Sequence, residues 1–288
     1  MDTVPEISLQ WYPGHMAKTR RVIAESLKLV DIVIEIADAR VPQSSRNPDL
    51  AEIIGQKPRL LVLNKTDIAD PAATSEWTRR LVSGGENVLC ADCLSGAGLQ
   101  KLLPKLNGIL EERLNRLKNK GLTGLAVRAM VVGIPNSGKS SLINRLAGHK
   151  SAKVEDRPGV TRSKQWISAG GKLELLDTPG ILWPKFDDAR IGLNLAFTGA
   201  IRDEIFDLEK TAEYLLIYLS NKYPDRLALR YKMTDIVSLN GAELLELLYK
   251  KRGFLLSGGV CDTERGAKIL LDEFRGGKLG RITLELPE

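Results

Sequence analysis

Nine consecutive residues, Gly133-Ile134-Pro135-Asn136-Ser137-Gly138-Lys139-Ser140-Ser141, carry the most specific chemistry in the chain. Two glycines at this spacing, followed by lysine and serine, suit a loop whose backbone N–H groups close around phosphate oxygens. In that reading Lys139 reaches the outermost phosphates and Ser140 gives its hydroxyl to Mg2+. Asn136, Ser137, Gly138 and Ser141 complete the cradle. An apolar run ends just before the loop and a helical pattern begins at Lys139, so a helix N-terminus adds its dipole to the anion site.

A second motif closes another apolar run. Asp177-Thr178-Pro179-Gly180 puts a carboxylate at a strand end, where Asp177 can hold the shell of the same Mg2+ and Gly180 can offer an N–H to the terminal phosphate. Thr161, in Pro158-Gly159-Val160-Thr161, is the nearby candidate for a further Mg2+ hydroxyl. Upstream of both, Asn64-Lys65-Thr66-Asp67 supplies what guanine requires. The Asp67 carboxylate meets the N1–H and 2-amino group, with the Asn64 amide and the Lys65 stem beside the ring. Adenine would leave that carboxylate unmatched, at about 1–3 kcal/mol or more, so the tetrad favours GTP over ATP.

These motifs need a frame. Strand signals fall at 31–37, 59–63, 88–90, 126–132, 165–168 and 173–176. One helix is expected over 99–118, with Leu103, Leu106, Leu110, Leu114 and Leu117 on one face, and another over 139–147. Such alternation predicts an α/β fold, a mostly parallel sheet with helices on both faces. From about Ile205 the strand signals fade. Tyr214, Leu215, Tyr218 and Leu219, then Leu244, Leu245, Leu247 and Leu248, then Ile269, Leu270 and Phe274 follow helical spacing. The expected division is a nucleotide domain over 1–204 and a small all-helical domain over 205–288.

Composition sets outer limits. At 288 residues, 43% hydrophobic and 27% charged, the chain suits two globular domains and excludes a fibrous or low-complexity protein. No apolar run approaches the ~20 residues that cross a bilayer, and residues 1–10 carry Asp2 and Glu6 without a basic flank; a cytoplasmic protein without a membrane partner is expected. Cys90 and Cys93 have a spacing used by zinc and redox sites. Four ligands are needed, however, and Cys261, His15 and His149 lie in unrelated contexts, so the pair reads as small residues in a loop. The net charge is +6, and residues 113–172 hold thirteen Lys/Arg against Glu155 and Asp156. That field suits a polyanion such as RNA, with a solvated surface as the plain alternative. Residues 206–288 hold thirteen acids and thirteen bases, which gives no such signal.

In most small GTPases the guanine tetrad follows the phosphate loop; here Asn64 precedes Gly133 by about seventy residues. The set resembles the circularly permuted GTPases. With Gln10-Trp11-Tyr12-Pro13-Gly14-His15-Met16-Ala17-Lys18 and Asp38-Ala39-Arg40-Val41-Pro42, it is similar to the ribosome biogenesis GTPase A family over nearly the whole chain, most densely over 11–183. The resemblance implies a P-loop GTPase that uses GTP, GDP and Mg2+, a monomer off the ribosome. It further implies an assembly factor for the large (50S) ribosomal subunit, with the subunit precursor and its rRNA as partners and no DNA.

The remaining base-contact loop falls at 92–99, where Asp92 and Cys93 replace the usual Ser and Ala. Many GTPases carry a water-orienting glutamine where this chain has Ile181, so intrinsic turnover is expected to be slow. The resemblance implies that His15 substitutes for it when a partner orders the N-terminal segment, acting with Lys139 in catalysis. Asn136 is similar to the asparagine of potassium-activated GTPases, which implies K+ beside it. Two other readings stay open: an RNA-binding scaffold that uses GTP with little hydrolysis of its own, and a P-loop kinase or ATPase, against which the tetrad argues.

Overall fold

The computed structural model describes residues 13–148, 166–178, 182, 188–254 and 261–287, with the backbone alone over 13–19. The chain divides into two compact units. Gln10–Lys185 with Glu285–Glu288 forms one, and Phe186–Leu284 makes up most of the other.

The first unit begins with α1 (Pro13–Leu27), β1 (Ile32–Asp38), α2 (Asp49–Ile54), β2 (Arg59–Asn64), α3 (Pro71–Ser83) and β3 (Val88–Cys90). It continues through α4 (Leu102–Ile109), α5 (Glu111–Asn119), β4 (Val127–Val132), α6 (Lys139–Ala147), β5 (Trp166–Ala169) and β6 (Leu173–Asp177). The sheet order is β3-β2-β1-β4-β6-β5, parallel throughout except for β5, which runs antiparallel to β6. Burial on both faces explains why β1 is apolar along almost its whole length. Ile32, Ile34 and Ile36 pack with Leu102 and Leu106 of α4 and Leu142 and Ile143 of α6. On the opposite face Val33 meets Ile23 and Leu27 of α1 and Leu50 and Ile54 of α2.

The single helix expected over 99–118 is instead a 3-10 turn at Leu99–Lys101, then α4 and α5. Leu110 separates the two helices at φ −99° and ψ 10°. Pro104 and Gly108, both in α4, weaken the helix ahead of that break.

The second unit is helical: α7 (Ala189–Phe197), α8 (Leu208–Lys222), α9 (Pro224–Tyr231), α10 (Gly241–Arg252) and α11 (Thr263–Arg275). The stripes read on the sequence fall on α8, α10 and α11. Buried Glu273 accepts from Arg230 Nε at 2.9 Å and from Tyr231 Oη at 2.8 Å. The division lies at Lys185/Phe186, earlier than residue 204. The reason is α7: Arg275 of α11 donates to the carbonyls of Ala196 and Phe197 at 2.9 and 3.2 Å and pairs with Asp203 at 2.6 Å.

Candidate nucleotide-binding site

Parallel strands bring their carboxyl ends to one sheet edge, where ligands of open α/β sheets lie. β2 ends at Asn64, β3 leads to Asp92, β4 runs into Gly133 and β6 ends at Asp177. Only β1 lies between β2 and β4, so the guanine tetrad and the phosphate loop start about 10 Å apart.

Asn64 stitches three loops together. Its Nδ2 donates to the Ser137 carbonyl at 2.8 Å, and its Oδ1 accepts from the Cys93 N–H at 2.9 Å. Both ends of the buried amide are thus engaged within the protein. A Cβ on Gly138, at φ +106°, would stand 2.0 Å from Asn64 Nδ2, so this approach requires glycine.

Lys65 adopts the left-handed φ of 63°, and its Nζ lies 2.9 Å from Asp38 Oδ2. Asp38 also accepts from Arg40 Nε at 3.0 Å and Nη2 at 2.8 Å, and Arg40 is only 1% exposed. Burial works to raise the Asp38 carboxyl, but Arg40 and Lys65 overcome it and hold it well below the usual carboxylate range. Burial lowers the Lys65 ammonium against the pull of Asp38. Asp67 stands exposed at the end of the tetrad, and Thr66 N–H reaches toward the Ala91 carbonyl at 3.4 Å.

Asp92 is buried and turns its own loop, accepting from Leu94 N–H at 2.8 Å and Ser95 N–H at 3.2 Å. Its side chain is occupied within the loop, which leaves backbone groups to meet a ligand. Cys93 is buried and its thiol is pushed up to about 12 by that burial, so it stays protonated. Cys90 Sγ lies 3.1 Å from Thr78 Oγ1. Among the described residues no group of three or more His, Cys, Asp or Glu side chains stands close enough to hold a metal ion.

At the phosphate loop, Gly133 has φ +153°, and a Cβ there would meet the Ile36 carbonyl at 2.5 Å. Asn136 takes φ 57°. Buried Lys139 directs Nζ to the Gly133 and Ile134 carbonyls at 3.0 and 2.7 Å. Burial lowers its pKa to about 8, with Asp177 pulling it back up. Asp177 lies beside Val131 in the β4–β6 register, and burial raises its carboxyl against the pull of Lys139. Ser140 is half-buried in the first turn of α6, and Ser141 follows it there, also half-buried. A carboxylate and a hydroxyl are the hard oxygen donors that Mg2+ takes, and few protein ligands suffice where phosphates supply others.

Thr161 and Gly180 lie outside the described residues, as does the side chain of His15, which belongs to α1. Most of the basic field around residues 150–164 lies outside them too. Part of the rest is internally neutralised: Arg113 pairs with Asp31, Arg116 with Glu112 at 3.6 Å, and Arg128 with Glu174 at 2.8 Å. Those acids lie outside the window or across strands, and the linear count misses them.

Sequence reasoning also missed the supports. Glu35, inside an apolar strand, binds Arg46 at 3.1 Å and Arg59 at 3.3 Å, and both arginines reach Glu86. A charge within an otherwise apolar run was the available signal. Asp38 and Arg40 were noted as a motif, without the Lys65 contact.

Residues 128–239 match the family model described as 50S ribosome-binding GTPase. Ribosome biogenesis GTPase A of Bacillus pumilus is 48% identical over 98% of this chain and 100% of its own. Mitochondrial ribosome-associated GTPase 1 of Mus musculus is 37% identical over 96% of this chain and 90% of its own. Among solved structures, GNP-bound YlqF from T. maritima covers 94% of this chain and 99% of its own at 28% identity, with a TM-score of 0.66. With its guanine tetrad ahead of its phosphate loop, and at this likeness over its full length, the chain belongs to the ribosome biogenesis GTPase A family.

Proposed function

We propose that one GTP lies across the carboxyl edge of the sheet, its base against Asp67 and its phosphates in the loop around Lys139. The carrying observation is the Asn64 amide, which ties the tetrad to the phosphate loop at 2.8 Å and to the 92–98 loop at 2.9 Å. Thr66, Asp92 and Cys93 frame the base mainly through backbone, while Asn136, Ser137, Gly138, Ser140 and Ser141 line the phosphates. As a member of its family the protein hydrolyses GTP and acts in ribosome assembly.

Asp177 and Ser140 would hold Mg2+, joined by Thr161. When bound, that ion offsets charge on the β and γ phosphates. Lys139 stabilises the same charge as the bond breaks. Ile181 cannot hydrogen-bond water, so His15 takes the water-orienting role when a partner brings it to the nucleotide. Asn136 supports a K+ site. Turnover is expected to be faster in K+ than in Na+, with Asn136→Ala removing the difference; equal rates in the two salts would discard the cation.

The partner in this reading is the precursor of the large ribosomal subunit and its rRNA, met in the cytoplasm by a monomeric GTP form that leaves after hydrolysis. Sedimentation with purified small and large subunits in high salt and non-hydrolysable GTP tests it. Retention on large subunits alone, lost with GDP, is expected; equal retention on both subunits would overturn it. Subunit-stimulated turnover separates a timer from an RNA-binding scaffold that hydrolyses little, and His15→Ala should remove that stimulation.

A further inference from the structure

The last residues of the chain return to the nucleotide-binding unit and grip a loop that the mechanism leaves unexplained. The Glu285 carboxylate accepts from the Gln43 N–H at 2.6 Å, the Ser44 N–H at 2.9 Å and the Ser44 hydroxyl. Trp77 Nε1 of α3 donates to the Glu285 carbonyl at 2.6 Å, which anchors the strap from its backbone side. Ser44 is 2% exposed, so its N–H and hydroxyl depend on a protein acceptor rather than on water. One ionised carboxylate taking three donors is a strong, directional grip.

The gripped loop leads to the guanine tetrad through short, buried bonds. Ser45, next to Ser44, accepts through Oγ from the Asp38 N–H at 2.9 Å and donates its own N–H to the Val41 carbonyl at 2.9 Å. Val41 N–H returns to the Asp38 carbonyl at 3.0 Å, and Ala39 N–H donates to the Asn64 carbonyl at 2.8 Å. From that fixed backbone Asp38 holds the Lys65 ammonium at 2.9 Å. A lysine tethered at its tip has its aliphatic stem set in one course, and the stem is the part that lies along a base. Free, it would sample several rotamers and lose that order on each binding event.

We propose that Glu285 is a positioning residue for guanine recognition: through the 39–46 loop and Asp38 it sets the course of the Lys65 stem. The assignment rests on the nucleotide site placed above. It makes affinity for the base end, rather than the chemistry at the phosphates, depend on a residue about 220 positions from the tetrad in sequence.

The test uses the full chain with a fluorescent GDP titration, steady-state turnover and thermal melting. Glu285→Ala is expected to raise Kd and KM about five- to tenfold while kcat at saturating GTP stays within twofold. Glu285→Gln, which keeps one acceptor oxygen without the charge, should fall between it and the parent. Ser44→Ala should raise KM less than Glu285→Ala. A KM within twofold of the parent, including one accompanied by an apparent kcat that falls in step with the fraction folded at the assay temperature, would overturn the assignment. Asp67→Asn is the companion measurement, because xanthine carries a carbonyl where guanine has its 2-amino group and an asparagine amide can donate to it. If Asp67→Asn fails to move preference from GTP to XTP, the nucleotide-site reading itself falls. If the preference moves and Glu285→Ala is silent, only the strap assignment falls.

Discussion

Around β2 and β3, side chains fix the position of backbone: Asn64 bridges to Ser137 and Cys93, Asp92 turns its own loop, and Asp38 holds Lys65 and Arg40. Around β4 the backbone's own conformation carries more of that work, with Gly133 at φ 153°, Asn136 at 57° and Gly138 at 106°, and Lys139 as its buried cation. The contrast follows from what each end must recognise. A base has a flat face and a fixed pattern of donors, which shaped side chains can match; a phosphate presents oxygens in several directions, which converging N–H groups and a point charge can match. It also explains how the 92–98 loop accommodates Asp92 and Cys93 in place of the serine and alanine expected from the motif. The loop there is held by a carboxylate that bonds Leu94 and Ser95, so backbone geometry survives the exchange of side chains.

The contrast breaks first at Lys139. Lys139→Ala should lower kcat by about a hundred- to a thousandfold, as loss of a single transition-state donor does, with a lesser loss of GTP affinity. Single-turnover hydrolysis at saturating GTP checks this. A loss below tenfold would mean that the phosphate end draws its charge from elsewhere.

Gly138→Ala comes next and touches both ends. The new Cβ would lie 2.0 Å from Asn64 Nδ2 in a backbone conformation that L side chains rarely adopt. Strain of this kind is worth about 1–3 kcal/mol, and relief requires moving Asn64 off the loop. We expect a lower melting temperature and about a hundredfold weaker GDP binding, read by calorimetry and fluorescence titration. Tight binding with only the melt lowered would show that the two ends do not need the bridge.

Which parts were legible follows the same division. The phosphate loop, tetrad and Asp177 could be read because each is a contiguous motif after a strand signal, and the strands themselves were readable as short apolar runs of three to seven residues. The break at Leu110 was not, since Leu103, Leu106, Leu110, Leu114 and Leu117 keep helical spacing across it. The unit boundary at Lys185/Phe186 lies before the residue 204 expected from the sequence; α7 is apolar enough to read as core of either unit, and its packing shows only through the distant α8 and α11, with Arg275 bonded to its carbonyls. Long-range side-chain bonds carry the rest: nothing in the local pattern joins Glu285 to Ser44 or Arg46 to Glu86.

Asn64→Ala sharpens the comparison by removing the bridge without adding strain. It would leave the Ser137 carbonyl and the Cys93 N–H unpaired in a buried place, at about 1–3 kcal/mol each if water cannot enter. Chemical denaturation should register about 2–4 kcal/mol, and guanine nucleotides should bind at least tenfold more weakly. Loss of stability below about 1 kcal/mol would mean that water replaces the amide and that the base end is less dry than its burial indicates.

The smallest effect is a pH dependence at the phosphate end. In the free protein burial, the larger influence, brings Lys139 from the ordinary 10.5 down to about 8, with Asp177 pulling the other way. Below about pH 8 the folded and unfolded chains both carry this proton, and the burial penalty on the ammonium is fully present. Between about 8 and 10.5 the unfolded chain binds more protons than the folded one, so the penalty is relieved as pH rises through that window. Phosphate oxygens favour the ammonium, so binding a nucleotide above about pH 8 takes up a proton. Affinity should therefore be flat from pH 6.5 to about 7.5 and fall above 8 by up to tenfold per pH unit. Asp38 adds no slope there, because Arg40 and Lys65 keep it ionised throughout. Titration calorimetry in two buffers of different ionisation enthalpy counts the proton directly. Lys139→Ala should abolish the uptake while leaving any contribution from the base end in place; uptake that persists in that variant would move the titrating group away from the phosphate loop.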